Sequence, residues 1–456
     1  MNKKTIGNEP IYDARTLGAP RMLVLGFQHM FAMFGATVLV PTLTGLSVSV
    51  TLLFAGLGTL LFHLLAKGKV PAFLGSSFAF LGGYSAIAPM LENPDMPGVF
   101  NIPNTEMLPY ACFGVACAGL VYLVLSLLFK VFGVRKVMRF FPPIVTGPII
   151  IAIGLSLSSS AVNNCEANWP VALVAILVVI VCNIWGKGMI KIIPILLGVI
   201  ASYIVGAVSG QVDFTAVKEA AWIGLPVVWS ETVFGLFAGG NVDTAMLGTA
   251  AVTIIPIALA TMVEHIGDMC AISSTCERNY IQDPGLHRTL LGDGLATSLA
   301  ALFGAPANTT YGENTGVLAL SKVYDPRVIR IAAVLAIIFS FCPKFAEVVH
   351  AMPTATIGGV SLVLYGMISA VGVRNVVENR VDFTKSRNVI IAALILVLAI
   401  GITYSDAGSI HIAGDVSFSG LATAAIVGIV LNAVQPGKDY EFGADLQGDT
   451  SVNFKV

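Results

Sequence analysis

Between two long apolar segments runs Pro306-Ala-Asn-Thr-Thr-Tyr-Gly-Glu-Asn-Thr-Gly316, a polar, β-branched stretch broken by glycine. Hydrocarbon offers no partner to backbone N–H and C=O groups, so such a stretch must be enclosed by protein or line a cavity. Residues 308–311 read as a short extended piece, and Gly312 as the start of a short helix ending near Ser321. A second stretch repeats the pattern. Pro71-Ala-Phe-Leu-Gly-Ser-Ser-Phe78 follows one apolar segment and precedes the short apolar run 79–90. Glu264-His265 follow Gln28-His29 by 236 positions, and Pro306 follows Pro71 by 235. Two interrupted segments at matching places in a weak repeat point to the ligand site of a membrane transporter, where a half-helix offers its free N–H groups to a polar ligand.

The rest of the chain agrees. Of 456 residues 56% are hydrophobic and 11% charged, with mean hydropathy +0.85, against about a quarter charged in soluble domains. The fold class expected is an all-α polytopic membrane protein. About fourteen candidate spans lie between residues 20 and 434, including short ones at 79–91 and 313–322 and longer ones at 141–160, 246–274 and 328–346. The net charge of −1 gives no argument for nucleic acid. The seven cysteines show no metal-ligand spacing and read as small apolar side chains; neither metal nor cofactor is expected. Met1-Asn-Lys-Lys is followed by polar and acidic residues and not by an apolar run, unlike a cleavable signal.

Charge sets the orientation. With the N-terminus inside, the outer loops carry only Lys218 and Lys344 of 25 basic residues. Inner loops hold clusters such as Lys130, Arg135, Lys136 and Arg139. The expectation is a cell-membrane protein with both termini cytoplasmic.

Four acids fall inside spans: Glu264, Asp268, Asp293 and Glu313. Ionisable groups there are costly and mark function. Glu264 and Asp268 are four apart and share a helix face. Glu264 and Glu313 have no Lys or Arg nearby in sequence, so a structural ion pair is hard to build. His265, about 100° round from Glu264, reads as a packing or supporting residue, and Asp293, between Gly292 and Gly294, as a cap or a support. Two carboxylates and exposed backbone N–H groups suit a planar, neutral molecule that carries both N–H donors and carbonyl acceptors. Phe78 and Tyr311 could stack on its ring. A nucleobase has that chemistry.

The residues resemble the nucleobase–ascorbate transporter family, within it the bacterial uracil-transporting branch. The likeness runs from Gln28-His-Met-Phe-Ala-Met-Phe-Gly-Ala-Thr-Val-Leu-Val-Pro41 through Gly75-Ser-Ser-Phe-Ala-Phe80, Asp283-Pro-Gly-Leu-His-Arg288 and Asn308-Thr-Thr-Tyr-Gly-Glu-Asn314 to Gly358-Gly-Val-Ser-Leu-Val-Leu-Tyr365. The family signature is met by Glu313-Asn314-Thr315-Gly316 through Ser321-Lys322, with Ser321 for the usual Thr. The resemblance implies fourteen segments in two inverted repeats of seven, with extended pieces in segments 3 and 10. It implies a core domain (1–139 and 245–350) and a gate domain (140–244 and 351–456, the last with a cytoplasmic tail). It implies Glu264 and Glu313 as base-binding carboxylates, backbone contacts at Phe78 and Gly312, and Ala36, Tyr311 and Tyr365 close by, supported by Ser77, Thr310, Asn314, Asp293 and His265. It further implies a homodimer, proton symport and an elevator-like movement. One departure stands out: the branch commonly has His where this chain has Asp268, which is therefore the expected proton-coupling partner of Glu264. Purine-transporting relatives resemble the chain at that position and at Asp293-Gly294, so uracil is the favoured substrate and xanthine or another oxopurine the runner-up. An intramembrane aspartyl protease would need Gly-x-Gly-Asp, which His265-Ile-Gly-Asp268 and Leu290-Leu-Gly-Asp293 lack. An anion transporter of the same architecture is disfavoured by the carboxylates.

Overall fold

The computed structural model describes residues 6, 9–92, 94, 100–187, 189–238, 242–413 and 416–437. Helices dominate. The first half contains α1 (Ala19–Thr44), α2 (Val48–Leu65), strand β1 (Leu74–Ser76), α3 (Leu81–Ile87) and α4 (Leu108–Phe132). Then follow α5 (Val134–Met138), α6 (Pro143–Ser156), α7 (Ser158–Glu166), α8 (Trp169–Trp185) and α9 (Pro194–Val208). The second half contains α10 (Thr244–Ile254), α11 (Ile257–Thr275), α12 (Leu286–Leu302), strand β2 (Asn308–Thr310), α13 (Gly312–Ser321), α14 (Pro326–Ser340) and α15 (Pro343–His350). It closes with α16 (Thr354–Glu378), α17 (Ser386–Thr403) and α18 (Gly420–Val434).

Among the described residues six helices are long and apolar enough to cross a membrane, or eight if each bent pair is one span. Two expected spans are broken. The 246–274 span divides into α10 and α11, which meet at 40° beside Pro256; proline cannot donate to the carbonyl one turn back. The 328–346 span turns by 87° between α14 and α15, where Pro343 opens the second helix.

Helix ends follow local chemistry. Gly45 stops α1 in the left-handed region and donates to the Pro41 carbonyl at 2.8 Å, a conformation that glycine adopts without strain. Asp243, Asn168 and Asp325 accept from N–H groups in the first turns of α10, α8 and α14. Close approach follows from small residues. Gly119 and Gly294 let α4 and α12 meet backbone to backbone, and Ser298 Oγ donates to the Ala116 carbonyl at 2.8 Å.

The packing is paired across the halves. α2 packs on α14 and α12 on α4; α8 packs on α16 and α17 on α6; α9 packs on α8 and α18 on α17. At the centre β1 and β2 pair antiparallel, Leu74 with Thr310, Gly75 with Thr309 and Ser76 with Asn308. The expected extended pieces therefore exist, and each leads into a short helix. Lys218 and Lys344, assigned to outer loops, lie together: Lys344 Nζ donates to the Val217 carbonyl at 2.8 Å.

Candidate functional site

Three-residue strands buried at the centre need partners for their polar backbone groups, and the flanking helices supply them. Thr59 Oγ1 of α2 accepts from Leu74 N at 2.9 Å. Thr297 of α12, in the corresponding place, donates to the Asn308 carbonyl at 2.5 Å. Asn308 Nδ2 reaches the Phe54 carbonyl at 2.6 Å, and Ser76 Oγ the Thr37 carbonyl at 2.9 Å. The Tyr311 ring lies over Gly75, and its hydroxyl donates to the Ser76 carbonyl at 2.8 Å. Gly75 is required here, because any side chain would occupy the space of that ring.

These strands, α11 and α13 form one wall of a cavity of about 420 Å³; α6 and α16 form the other. Glu264 and Asp268 line it from one face of α11, the first half-buried and the second buried. Ser77, Phe78, Thr310, Tyr311 and Gly312 line it from the crossing. A side chain at Gly312 would stand 3.2 Å from Asp268 Oδ1, so the start of α13 presses against that carboxylate. The first N–H groups of any helix lack intrahelical partners, and Gly312, the first residue of α13, lines the cavity with Asp268 and Tyr311. The side chain of Glu313 lies outside the described residues; its backbone is the second residue of α13.

Behind this wall runs a buried polar chain. Thr310 Oγ1 donates to Asp268 Oδ2 at 3.0 Å and lies 3.2 Å from His265 Nδ1. Because the hydroxyl proton is directed to Asp268, the Thr310 oxygen is free to accept from a protonated His265 Nδ1. The same Nδ1 is 3.3 Å from Asp293 Oδ2, with both side chains fully buried. His29 Nδ1 stands 3.3 Å from Asn314 Oδ1 at the equivalent place in the first half.

Several expected site residues take other positions. Ala36 and Tyr365 do not line the cavity; both are buried in the cluster behind it, where Tyr365 meets Phe78 edge-on at 5.6 Å. Asn314 and His265 also pack behind the wall. Asp293 is no helix cap: it sits inside α12, turned toward His265. The other wall was missed in the sequence. Thr146 of α6 and Asn375 of α16 line the cavity and hydrogen-bond at 3.2 Å. Arg374 and Glu378, paired at 2.5 Å, also line it, so the cavity holds a cation that the residues adjoining Glu264 in sequence did not suggest. A polar side chain at 146 within an apolar run is a signal that could have found the first of them; Asn375 lies among Arg374, Glu378 and Arg380 and carries no such signal.

A largely apolar cavity with carboxylates and hydroxyls at the crossing of two interrupted segments, inside a sheath of apolar helices, defines a membrane transporter. The fold is shared with the transmembrane domain of the cyanobacterial bicarbonate transporter BicA, at TM-score 0.56 and 16% identity, over 86% of this chain and 97% of that one. Residues 20–408 match the Permease family (Xan_ur_permease), and the chain belongs to that family. It is 40% identical over 447 residues to the uracil permease of Bacillus caldolyticus, covering 96% of each chain. It is 39% identical over 442 residues to that of Bacillus subtilis (strain 168), covering 94% of each.

Proposed function

We propose that the protein is a secondary active transporter that imports a nucleobase, uracil, together with a proton. The observation that carries this reading is the wall at which Glu264, Asp268, Tyr311 and Gly312 meet. Uracil has two N–H donors and two carbonyl acceptors in one plane. The carboxylate of Glu264, and that of Glu313 at the start of α13, accept its N–H groups. Backbone N–H groups at Phe78 and Gly312 donate to its carbonyls, and Phe78 and Tyr311 flank its ring. The full-length likeness to proteins named uracil permeases supports the same substrate.

A neutral base is concentrated only with a driving ion. Asp268 faces the cavity and continues through Thr310 and His265 to Asp293. We assign proton coupling to Asp268 with Glu264, one turn away on the same face. Two carboxylates so close load and release protons as a coupled pair.

The architecture proposed is fourteen segments in two inverted repeats. Six long helices, two bent pairs and four shorter apolar helices, together with α12 and α13, make that number. The paired packing of α2 on α14 with α12 on α4, and of α8 on α16 with α17 on α6, supports the pseudo-symmetry. α1–α4 and α10–α15 form a core that carries the site; α6–α9 and α16–α18 form a gate that carries the opposite wall, and the core slides along it as an elevator. Both termini are cytoplasmic and the cavity opens inward, a reading supported by the basic loops on that side, which carry Lys130, Arg135, Lys136, Arg139 and Arg374. The gate surface is the homodimer interface.

The test is flux of labelled uracil into proteoliposomes under an imposed proton gradient, with unlabelled bases as competitors and chloride and sulfate as control substrates. Uracil uptake that collapses with the gradient is expected. Uptake blocked by xanthine but not by uracil would assign the site to an oxopurine, and chloride or sulfate flux without base flux would overturn the reading.

A further inference from the structure

A second recess, of about 620 Å³, lies beside the cavity and is almost wholly apolar. Its walls come from α4 (Leu128, Phe132), α11 (Met262) and α18 (Ile429), and Phe141 lines both recesses. Leu128, Phe132 and Val430 are exposed; in a membrane they face lipid chains. On α4 the lining positions recur at 121, 124, 125, 128 and 132, a single helix face about 16 Å long at 1.5 Å per residue.

One charged side chain lines this recess, Lys136. It belongs to an exposed basic cluster with Lys130, Arg135 and Arg139. No acid occurs in the sequence between Glu106 and Glu166, and among the described residues none of the four is ion-paired. An acyl chain alone would account for the apolar walls and leave the basic end unexplained. A lipid with an acidic headgroup accounts for both, since basic clusters at the end of a span attract anionic headgroups.

We infer that this recess is a binding site for an anionic phospholipid of the surrounding bilayer, its acyl chain laid along α4 and its headgroup on Lys136 with Arg135 and Arg139. Because Phe141 also lines the transport cavity, the bound lipid abuts the cavity wall.

The experiment uses the full-length protein with Leu128→Trp, reconstituted in phosphatidylcholine vesicles that contain a minor fraction of lipid brominated in its acyl chain. The emission of Trp169, Trp185, Trp222 and Trp229, measured on the parent protein, is subtracted. Brominated phosphatidylglycerol should quench the reporter more strongly than brominated phosphatidylcholine at equal mole fraction, with a preference of about fivefold for each basic side chain engaged. Lys136→Gln should cut that preference by about the same factor, whereas Lys187→Gln should leave it intact. Equal quenching by the two lipids, or a preference untouched by Lys136→Gln, overturns the proposal.

Discussion

Gly75→Ala strikes the site at its tightest contact. A methyl group there would stand 2.5 Å from Tyr311 Cε2, 2.6 Å from Cζ and 2.7 Å from Thr37 Oγ1. Carbon atoms in comfortable contact are roughly 3.5–4.0 Å apart, so a buried ring has to retreat by about 1 Å. Overpacking of this kind costs about 1–3 kcal/mol. The retreat also breaks the Tyr311 hydroxyl bond to the Ser76 carbonyl, worth about 1 kcal/mol. The sum is about 2–4 kcal/mol. Tyr311 is followed directly by Gly312, so displacement of the ring displaces the start of α13. If the whole penalty falls on the bound state, affinity for uracil drops about 30- to 1000-fold. Gly82→Ala is the internal control, because a methyl group at Gly82 meets nothing within 4 Å. Equilibrium binding of labelled uracil to the purified variants, with thermal melting measured alongside, gives the readout. A Gly75→Ala protein that binds uracil like the parent would refute the argument, as would a Gly82→Ala protein that loses as much.

Glu264→Gln and Glu313→Gln should each lower uptake about 5- to 150-fold, from about 1–3 kcal/mol per mispaired group, with membrane levels unchanged on blots; parental uptake by either variant removes that residue from the site. Asp268→Asn should retain base exchange and lose accumulation driven by a pH gradient. Thr310→Val should follow it and Thr310→Ser recover, and parental accumulation by Asp268→Asn would make Asp268 structural and leave Glu264 to carry the proton. Tyr12→Ala should lower stability by about 2–3 kcal/mol, measured by melting in detergent. That variant loses the hydroxyl bond to the Cys276 carbonyl at 3.0 Å, the Tyr324 ring at 5.5 Å and the Arg278 guanidinium at 4.0 Å; an unchanged melting point contradicts the account. Light scattering in nanodiscs should report a dimer, and a fully active monomer would disprove the gate interface.

Residues 306–316 were legible because their constraint is local. Polar backbone between apolar segments has to be enclosed, and β-branched Thr309 and Thr310 followed by Gly312 give a strand and then a helix start. The matching stretch at 71–78 was legible for the same reason, as were Glu264 and Asp268, whose spacing alone puts them on one face of α11. The sequence could not tell that Pro256 divides one apolar run, since a proline in such a run can kink a helix or open a new one. The partners of each polar residue were also hidden. Asp293 lies 28 positions from His265, and its distance to that ring depends on how α12 packs against α11. Ala36 and Tyr365 are expected near the site from the family resemblance, yet both are buried in one cluster with Phe78, and of the three only Phe78 lines the cavity. The second wall, with Thr146, Asn375 and Arg374, is assembled from helices far apart in the chain. Local chemistry specifies which backbone must be buried and which charges are costly; only the packing of one half of the chain on the other decides which groups those charges meet.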